Sequence, residues 1–294
     1  MNIPEYESYH EQKSHFDASF PYNTYLCSIP FDFTNVPLHW HDEVEFIYIK
    51  VGTGIITVDF QKYIVQGGDI AIIWPGQIHS IEQLHDQAME YENIIFQTSL
   101  LGESVIDRSY AQFIKPLLDG HFSTPAILTN QSAAYATVRH CLDKNDNIGM
   151  SFPDGYPLAI KGNLFSLFFA IYTAYATEPA TITDRSGKDR NMEKIKSVIK
   201  YVEMHYADAM TIGDMAALVG FSESHFMKFF KQTMGIPFTT FLNNYRLAMA
   251  ARLLLQSEET ILNIASQVGY DNLSYFNRSF KSKYGMTPSA YRKV

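Results

Sequence analysis

The sequence predicts an α+β chain of two domains: an N-terminal β-barrel with helices following it, and an all-α C-terminal domain carrying two helix-turn-helix motifs. Three observations lead there. From about Phe20 to Gln97 apolar and polar residues alternate between glycines; beyond Leu100 the period lengthens toward that of a helix; and the last hundred residues contain one pattern twice. At 294 residues the chain is long enough for two cores, and 46% hydrophobic with 18% charged residues excludes wholesale disorder.

In the first part, EFIYIKVGTGIITVDF and KYIVQGGDIAIIWPG read as strands joined by glycine-containing turns. Helices are expected near Ser109–Leu118, Ser132–Lys144 and Pro157–Ala176. The last of these, PLAIKGNLFSLFFAIYTAYA, is apolar on nearly every side, so it is buried or lies against another subunit, which makes it the candidate surface of a homodimer. Its richest run, Leu164 to Ala176, is too short and too interrupted by polar residues for a membrane span, and the N-terminus carries no signal-peptide core. Cys27 and Cys141 lie far apart without metal-type spacing, as in a reduced cytoplasmic protein. Residues 178–191, EPATITDRSGKDRN, are polar and interrupted by Pro and Gly. The expected division is therefore a sensing and dimerisation domain over 1–178, a linker over 179–191 and a helical domain over 192–294.

The repeat opens at Thr211, Ala216 and Gly220, which recur 49 positions later as Thr260, Ala265 and Gly269. After the turn the offset is 50: Ser224, Phe226, Phe230, Lys231 and Gly235 match Ser274, Phe276, Phe280, Lys281 and Gly285. A one-residue difference confined to the turn is what two homologous helix-turn-helix units show. Thr211 and Asp214 are spaced as a capping box, and Gly220 suits a left-handed helix end. With Phe226, Phe229 and Phe230 buried, Ser224, Met227, Lys228 and Lys231 share the opposite face of the second helix. Leu273, Ser274, Asn277, Arg278 and Lys281 occupy that face in the second unit.

Arg and Asn make bidentate contacts to guanine and adenine edges, whereas Lys more often meets phosphate. Arg278 and Asn277 are therefore the expected base readers of the second unit, and Ser224 and Lys228 those of the first; a merely solvated helix face is the alternative. Charge supports the DNA reading. Residues 188–294 hold 14 Lys+Arg against 9 Asp+Glu, a net of +5, while the remainder of the chain carries −13. Between the units PFTTFLNNYRLAMAARLLLQ, with Pro237 expected at the first helical position, forms a rod of roughly 28 Å. Successive major-groove faces lie ~34 Å apart, so one chain can place two helices on one side of a duplex.

These residues, from Met192 to Lys293, resemble the DNA-binding region of AraC/XylS-type transcriptional regulators. The closing segment IASQVGYDNLSYFNRSFKSKYGMTPSAYR carries the Gly-Tyr, Ser-Tyr-Phe, Arg-Ser-Phe-Lys and Gly-Met-Thr-Pro elements of that family. The resemblance implies a seven-helix domain that binds an operator and activates transcription beside RNA polymerase. It also implies base-contacting roles for Ser224, Met227, Lys228, Leu273, Ser274, Asn277 and Arg278. Met227 stands where polar residues are common, and its apolar side chain suits a thymine methyl.

A second constellation lies in the strands: His39-Trp-His41-Asp-Glu-Val-Glu45, then Gly52, Gly68, Pro75-Gly76 and His79. The odd-numbered His39, His41 and Glu45 project to one face of a continuous strand, and Ile47 and Ile49 extend it inward. The run is similar to the H-x-H-x3-E-x6-G pattern of metal-binding cupin barrels, with His79 as the later histidine. His39, His41, Glu45 and His79 can hold a divalent transition metal, contact a small-molecule effector, or serve the barrel alone. Tyr25, Phe31 and Phe33 are expected near the mouth, and such a mixture of polar groups and apolar walls suits a sugar-like ligand. Together these features predict a cytoplasmic regulator responding to a small ligand. The alternative from another class is a metal-dependent cupin enzyme with a nucleic-acid-binding appendage.

Overall fold

A computed structural model of the protein describes Glu11 and residues 20–102, 107–176 and 182–293. The chain divides into two compact units, one reaching to Ser186 and one starting at Gly187.

Alternation in the first unit produces β1 (Tyr22–Ile29), β2 (Asn35–His39), β3 (Val44–Val58), β4 (Gln61–Gln66), β5 (Ile70–Ile73), β6 (His79–Gln83) and β7 (Met89–Phe96), with a short β8 (Ile127–Leu128). All pairings are antiparallel. One sheet runs β1-β7-β3-β5-β8; in the other, β6 lies between β2 and the end of β3, which also pairs with β4. The long strand β3 belongs to both, its first half pairing with β7 and β5 and its second half with β4 and β6. The sheets close around Ile47, Ile49, Ile56, Ile73, Ile81 and Tyr91, all essentially inaccessible.

The alternation of β3 does not run unbroken. Glu45, Ile47 and Ile49 face the barrel interior, but a register shift between Ile49 and Val51 inverts the parity, and Ile56 and Val58 face inward beyond it. Gly52 lies at the bend with φ +86°, where an added Cβ would collide with the backbone carbonyl of Ala88. The even-numbered Val44, Phe46 and Tyr48 look outward onto a second core.

A 3-10 turn (Thr98–Leu101), a π-helical turn (Tyr110–Ile114), α1 (Lys115–Leu118), α2 (Tyr135–Gly149) and α3 (Tyr156–Tyr175) supply that core. Phe168 of α3 meets Trp74 and Phe96 edge-on at centroid distances of 6.0 and 6.3 Å. α3 is two-sided rather than uniformly buried: Ile160, Leu164, Leu167, Phe168 and Ile171 are packed, while Leu158 and Phe169 are 78% and 71% exposed. At 20 residues α3 has the length and mean hydropathy of a membrane span, as the core helix of a globular unit also can, and its packed face belongs to the core of this unit. Lys50 of β3 ties the sheet to α2, with its ammonium 2.7 Å from Glu92 and 2.8 Å from Asp146. Burial, together with the neighbouring Asp146, outweighs Lys50 and lifts the Glu92 carboxyl to about 7.

The second unit contains seven helices among the described residues: α4 (Ile182–His205), α5 (Ile212–Leu218), α6 (Glu223–Met234), α7 (Phe238–Gln256), α8 (Ile261–Gln267), α9 (Leu273–Tyr284) and α10 (Pro288–Tyr291). Much of the segment read as a linker is helical, since α4 starts at Ile182. Pro237 is the residue before α7 rather than its first helical position, with extended ψ of 148°.

Gly52→Ala is expected to lower the stability of the first unit by at least about 1–3 kcal/mol, the cost of forcing a side chain into that backbone conformation. Urea unfolding followed by the fluorescence of Trp40 and Trp74 measures it, and an unchanged midpoint would contradict this account of the bend.

Candidate nucleic-acid interface and buried histidine cluster

Each helix pair of the second unit is fixed by local chemistry before it packs. Thr211 accepts from the Asp214 amide at 3.1 Å while the Asp214 carboxylate accepts from the Thr211 amide at 2.9 Å, completing the capping box. Thr260 caps α8 alone, because Asn263 stands where Asp214 does in the first repeat. Gly220 and Gly269 end the first helices at φ +69° and +83°. Ser222 and Asn272, 50 positions apart, cap α6 and α9 through the amides of His225 and Tyr275. The extra residue of the second turn therefore lies between Gly269 and Asn272. Both long helices end at left-handed glycines, Gly235 and Gly285.

Phe226 and Phe230 anchor α6, and Phe276 and Phe280 anchor α9, all four fully buried. This packing turns the opposite faces to solvent. Ser224, Met227, Lys228 and Lys231 are exposed on α6, as are Ser274, Arg278 and Lys281 on α9. Leu273 and Asn277 are half-buried and sit at the edge of the α9 face rather than at its centre. The sequence reading passed over Tyr275, which is 46% exposed one residue from Ser274 and whose hydroxyl lies 3.4 Å from Asn243 of α7.

α7 holds the two pairs together. Phe238 packs edge-on against Phe226 and Phe230, and Phe241 against Phe230. Arg246 donates to the carbonyls of Tyr206 and Asp208 at 2.7 and 2.8 Å, clamping the segment between α4 and α5. Gly269 is the close approach this clamp requires, since a Cβ there would come within 2.8 Å of the Ala207 carbonyl and 3.0 Å of Arg246.

In the first unit, the structure brings His39, His41, Glu45 and His79 together inside the barrel, each less than 5% exposed. They do not share one continuous strand: His39 ends β2, His41 lies in the turn that follows, Glu45 is on β3 and His79 starts β6. Pairing of His39 with His79 across β2 and β6 completes the convergence, and the nearest ring atoms of the three histidines lie within 4.8 Å of one another. Two carboxylates not singled out in the sequence border the cluster: Glu11 is 3.6 Å from His39 Nε2 and Glu43 is 3.7 Å from His41 Nδ1. Phe33 packs against the barrel core, whereas Phe31 is 74% exposed.

The ring nitrogens divide into two kinds. Nδ1 of His39 lies 2.8 Å from the Pro37 carbonyl and Nδ1 of His79 lies 3.0 Å from the Gln77 carbonyl, so both donate there. Those contacts turn the Nε2 atoms of both rings inward. Nε2 of His79 is 2.9 Å from the Glu45 carboxylate, but the alignment is not that of a hydrogen bond. His41 Nε2 does bond that carboxylate, at 3.2 Å. Burial, reinforced by the charge of His79, drives His39 down to about 3. Burial also opposes charge on His41 and Glu45, but their mutual bond prevails, holding His41 above and Glu45 well below their usual ranges.

Residues 30–143 match the AraC-like ligand binding domain family and residues 215–294 match a helix-turn-helix domain family. The chain is 22% identical over 264 residues to the uncharacterized HTH-type transcriptional regulator YdeC of Bacillus subtilis, covering 88% of this chain and 87% of that protein. It is 36% identical over 107 residues to the regulatory protein PocR of Salmonella typhimurium, which it spans for 35% of its length. Among solved structures it is similar to ToxT of Vibrio cholerae, with 18% identity, coverage of 93% and 97%, and a TM-score of 0.40. A ligand-binding barrel and a paired helix-turn-helix unit in one chain define a transcriptional regulator. The chain is an AraC-type transcriptional regulator with a ligand-binding and a helix-turn-helix domain. Its relatives are regulators, which sets the cupin-enzyme alternative aside.

The buried cluster gives stability a pH dependence whose sign follows from His39. Unfolded His39 takes a proton near pH 6.5 and folded His39 only near 3, so folding loses stability as pH falls through that interval. His41, raised in the fold, acts above pH 6.5, and Glu45 adds its own loss only below the ordinary carboxylate range. Between pH 6.5 and 4.5, chelator-treated protein should therefore lose about 1.4 kcal/mol per pH unit from His39, and His39→Gln should remove that part of the slope. Denaturant titrations across the interval test this; identical slopes for the two proteins would refute it.

Proposed function

We propose that this protein reads a specific double-stranded operator with α6 and α9 and couples that reading to a small molecule taken up by the first unit. The carrying observation is that both helices are capped, anchored by paired phenylalanines and exposed along matched polar faces. In the first unit of the repeat Ser224 and Lys228 meet base edges, Met227 a thymine methyl and Lys231 a phosphate. In the second, Arg278 takes a guanine edge and Ser274 a neighbouring base, Leu273 and Asn277 contact the rim of the groove, and Lys281 a phosphate. The sensing region is 1–178, the connecting region 179–191 and the reading region 192–294. The regulator works in the cytoplasm as an activator beside RNA polymerase. It does so as a homodimer through the exposed side of α3, where Leu158, Phe165 and Phe169 remain uncovered.

Effector contact falls to His39, His41, Glu45 and His79, whose imidazoles and carboxylate pair with the hydroxyls of a sugar-like ligand. One observation favours a second reading of these residues. The ligand atoms of His39, His41 and His79 lie within 4.8 Å of one another, with a Glu45 carboxylate oxygen 2.9 Å from His79 Nε2, and a set of buried donors this dense calls for a positive charge that a proton or a metal ion can supply. A divalent transition metal held by His39, His41, His79 and Glu45 meets that requirement; it would supply a Lewis-acidic point for an oxygen-bearing effector.

Arg278→Ala should weaken binding at the operator by about 1–3 kcal/mol and relax base preference at one position, measured by selecting duplexes from a random pool with each protein. Equal loss on random DNA would reduce Arg278 to a phosphate contact. For the metal, untagged protein reconstituted with Zn²⁺ or Ni²⁺ should retain about one equivalent, and His79→Ala far less. Retention below about 0.1 equivalents by the wild type would leave the effector reading alone.

A further inference from the structure

The two reading helices differ on one flank, and the difference opens a site at the second helix-turn-helix repeat. At the position 50 residues before Ser279 the first repeat has Phe229, which is 7% exposed and stacks edge-on against Phe221 at 5.1 Å. His225, at the position of Tyr275, lies over the same ring at 4.0 Å, and the Lys194 ammonium is 3.8 Å from its centroid. That flank of α6 is filled with aromatic rings. In the second repeat the small Ser279 leaves the corresponding flank of α9 open toward the first half of α7. The result is an open groove of about 630 Å³.

The chemistry of this groove is that of an anion site. Asn243 and Asn244 of α7 face Tyr275, Arg278, Ser282 and Lys283 of α9, and no carboxylate lines it. Asn243 Nδ2 donates to the Tyr275 hydroxyl at 3.4 Å, which turns the hydroxyl proton to another acceptor. Lys283 Nζ donates to the Asn244 carbonyl at 3.0 Å, which fixes an ammonium in the groove wall. Arg278 belongs both to this groove and to the outward face of α9 beside Ser274 and Lys281. An anion seated here is therefore adjacent to whatever α9 reads.

We propose that the α7–α9 groove seats a backbone phosphate of the operator, so that α7 itself contacts DNA at the second reading head and has no counterpart at the first. This inference rests on the reading that α9 enters a major groove. A helix in that position has its flank against the sugar–phosphate wall, where polar side chains fix register without reading sequence. Arg278 then joins the phosphate seat to the base edge it reads, and its guanidinium is oriented from both sides.

The test uses full-length protein, with Ser282→Asp placing a carboxylate in the groove from an exposed position, and Gln232→Asp as the matched change on α6. Dissociation constants for operator and random duplexes are measured across a salt series. Ser282→Asp should weaken both duplexes by about tenfold and lower the slope of log K against log salt by about 0.9, the value of one phosphate. Gln232→Asp should leave the slope within about 0.3 of wild type. Replacing single operator phosphates by neutral methylphosphonates should find one position, beside the second block of the motif, that weakens the wild type but not Ser282→Asp.

Equal slopes for all three proteins, or equal losses for the two variants, would overturn the proposal. It would also fall if inorganic phosphate bound the wild type and not Ser282→Asp while the DNA slopes stayed the same, since the occupant would then be a free anion. A wild type that binds no duplex would instead remove the DNA reading on which the groove depends.

Discussion

Everything in the reading domain is referred to α7. Its first turn receives Phe226 and Phe230 through Phe238, its middle holds the α4–α5 junction through Arg246, and its flank meets α9 through Asn243 and Asn244. Nine of its 19 residues are buried, on more than one side, which is why its sequence lacks the one-sided stripe of a surface helix. A helix packed this way behaves as a rigid spacer of roughly 28 Å, and the two reading heads cannot drift independently along a duplex. Loss of the Arg246 clamp would free the α4–α5 junction from α7 while Phe238 and Phe241 still hold α6 to it.

The barrel follows a different logic, in which one strand is shared. β3 carries Glu45 into the interior in its first half and pairs with β6, which bears His79, in its second. The four polar groups therefore meet without belonging to one element, and the surrounding isoleucines exclude water from them. Their charges are consequently strong for one another. Glu45 stays ionised in an apolar interior because His41 and His79 face its charge, while for His39 burial and the charge of His79 outweigh the nearby Glu45 and Glu11 and keep the ring neutral. Any molecule or ion that enters must rearrange this balance, which is a property a sensor can use.

What was legible in the sequence was whatever local chemistry decides. The capping box at Thr211, the left-handed ends at Gly220 and Gly269 and the phenylalanine spacing all depend on residues within two turns of one another, and all appear as read. The histidines and Glu45 were found by their spacing, but the reason given, one continuous strand, was replaced by a turn and a cross-strand pair. Glu11 gave no signal, because its proximity to His39 is made by the path of the chain rather than by any pattern. Leu273 and Asn277 illustrate a second limit. Helical period places them outward, but the neighbouring packing half-covers them. The Phe229–Ser279 difference was visible as two letters, and its meaning needed the position of α7.

The one-residue excess between Gly269 and Asn272 belongs to the same asymmetry and bears on the operator itself. Two heads related by a repeat along the chain, rather than by a two-fold axis, read in one direction. Unequal turns and unequal flanks then prevent the heads from exchanging places. A site bound by a single chain is therefore a vector with a head and a tail. Turning the site end for end on the chromosome would leave its affinity intact while reversing which neighbouring gene the bound regulator faces.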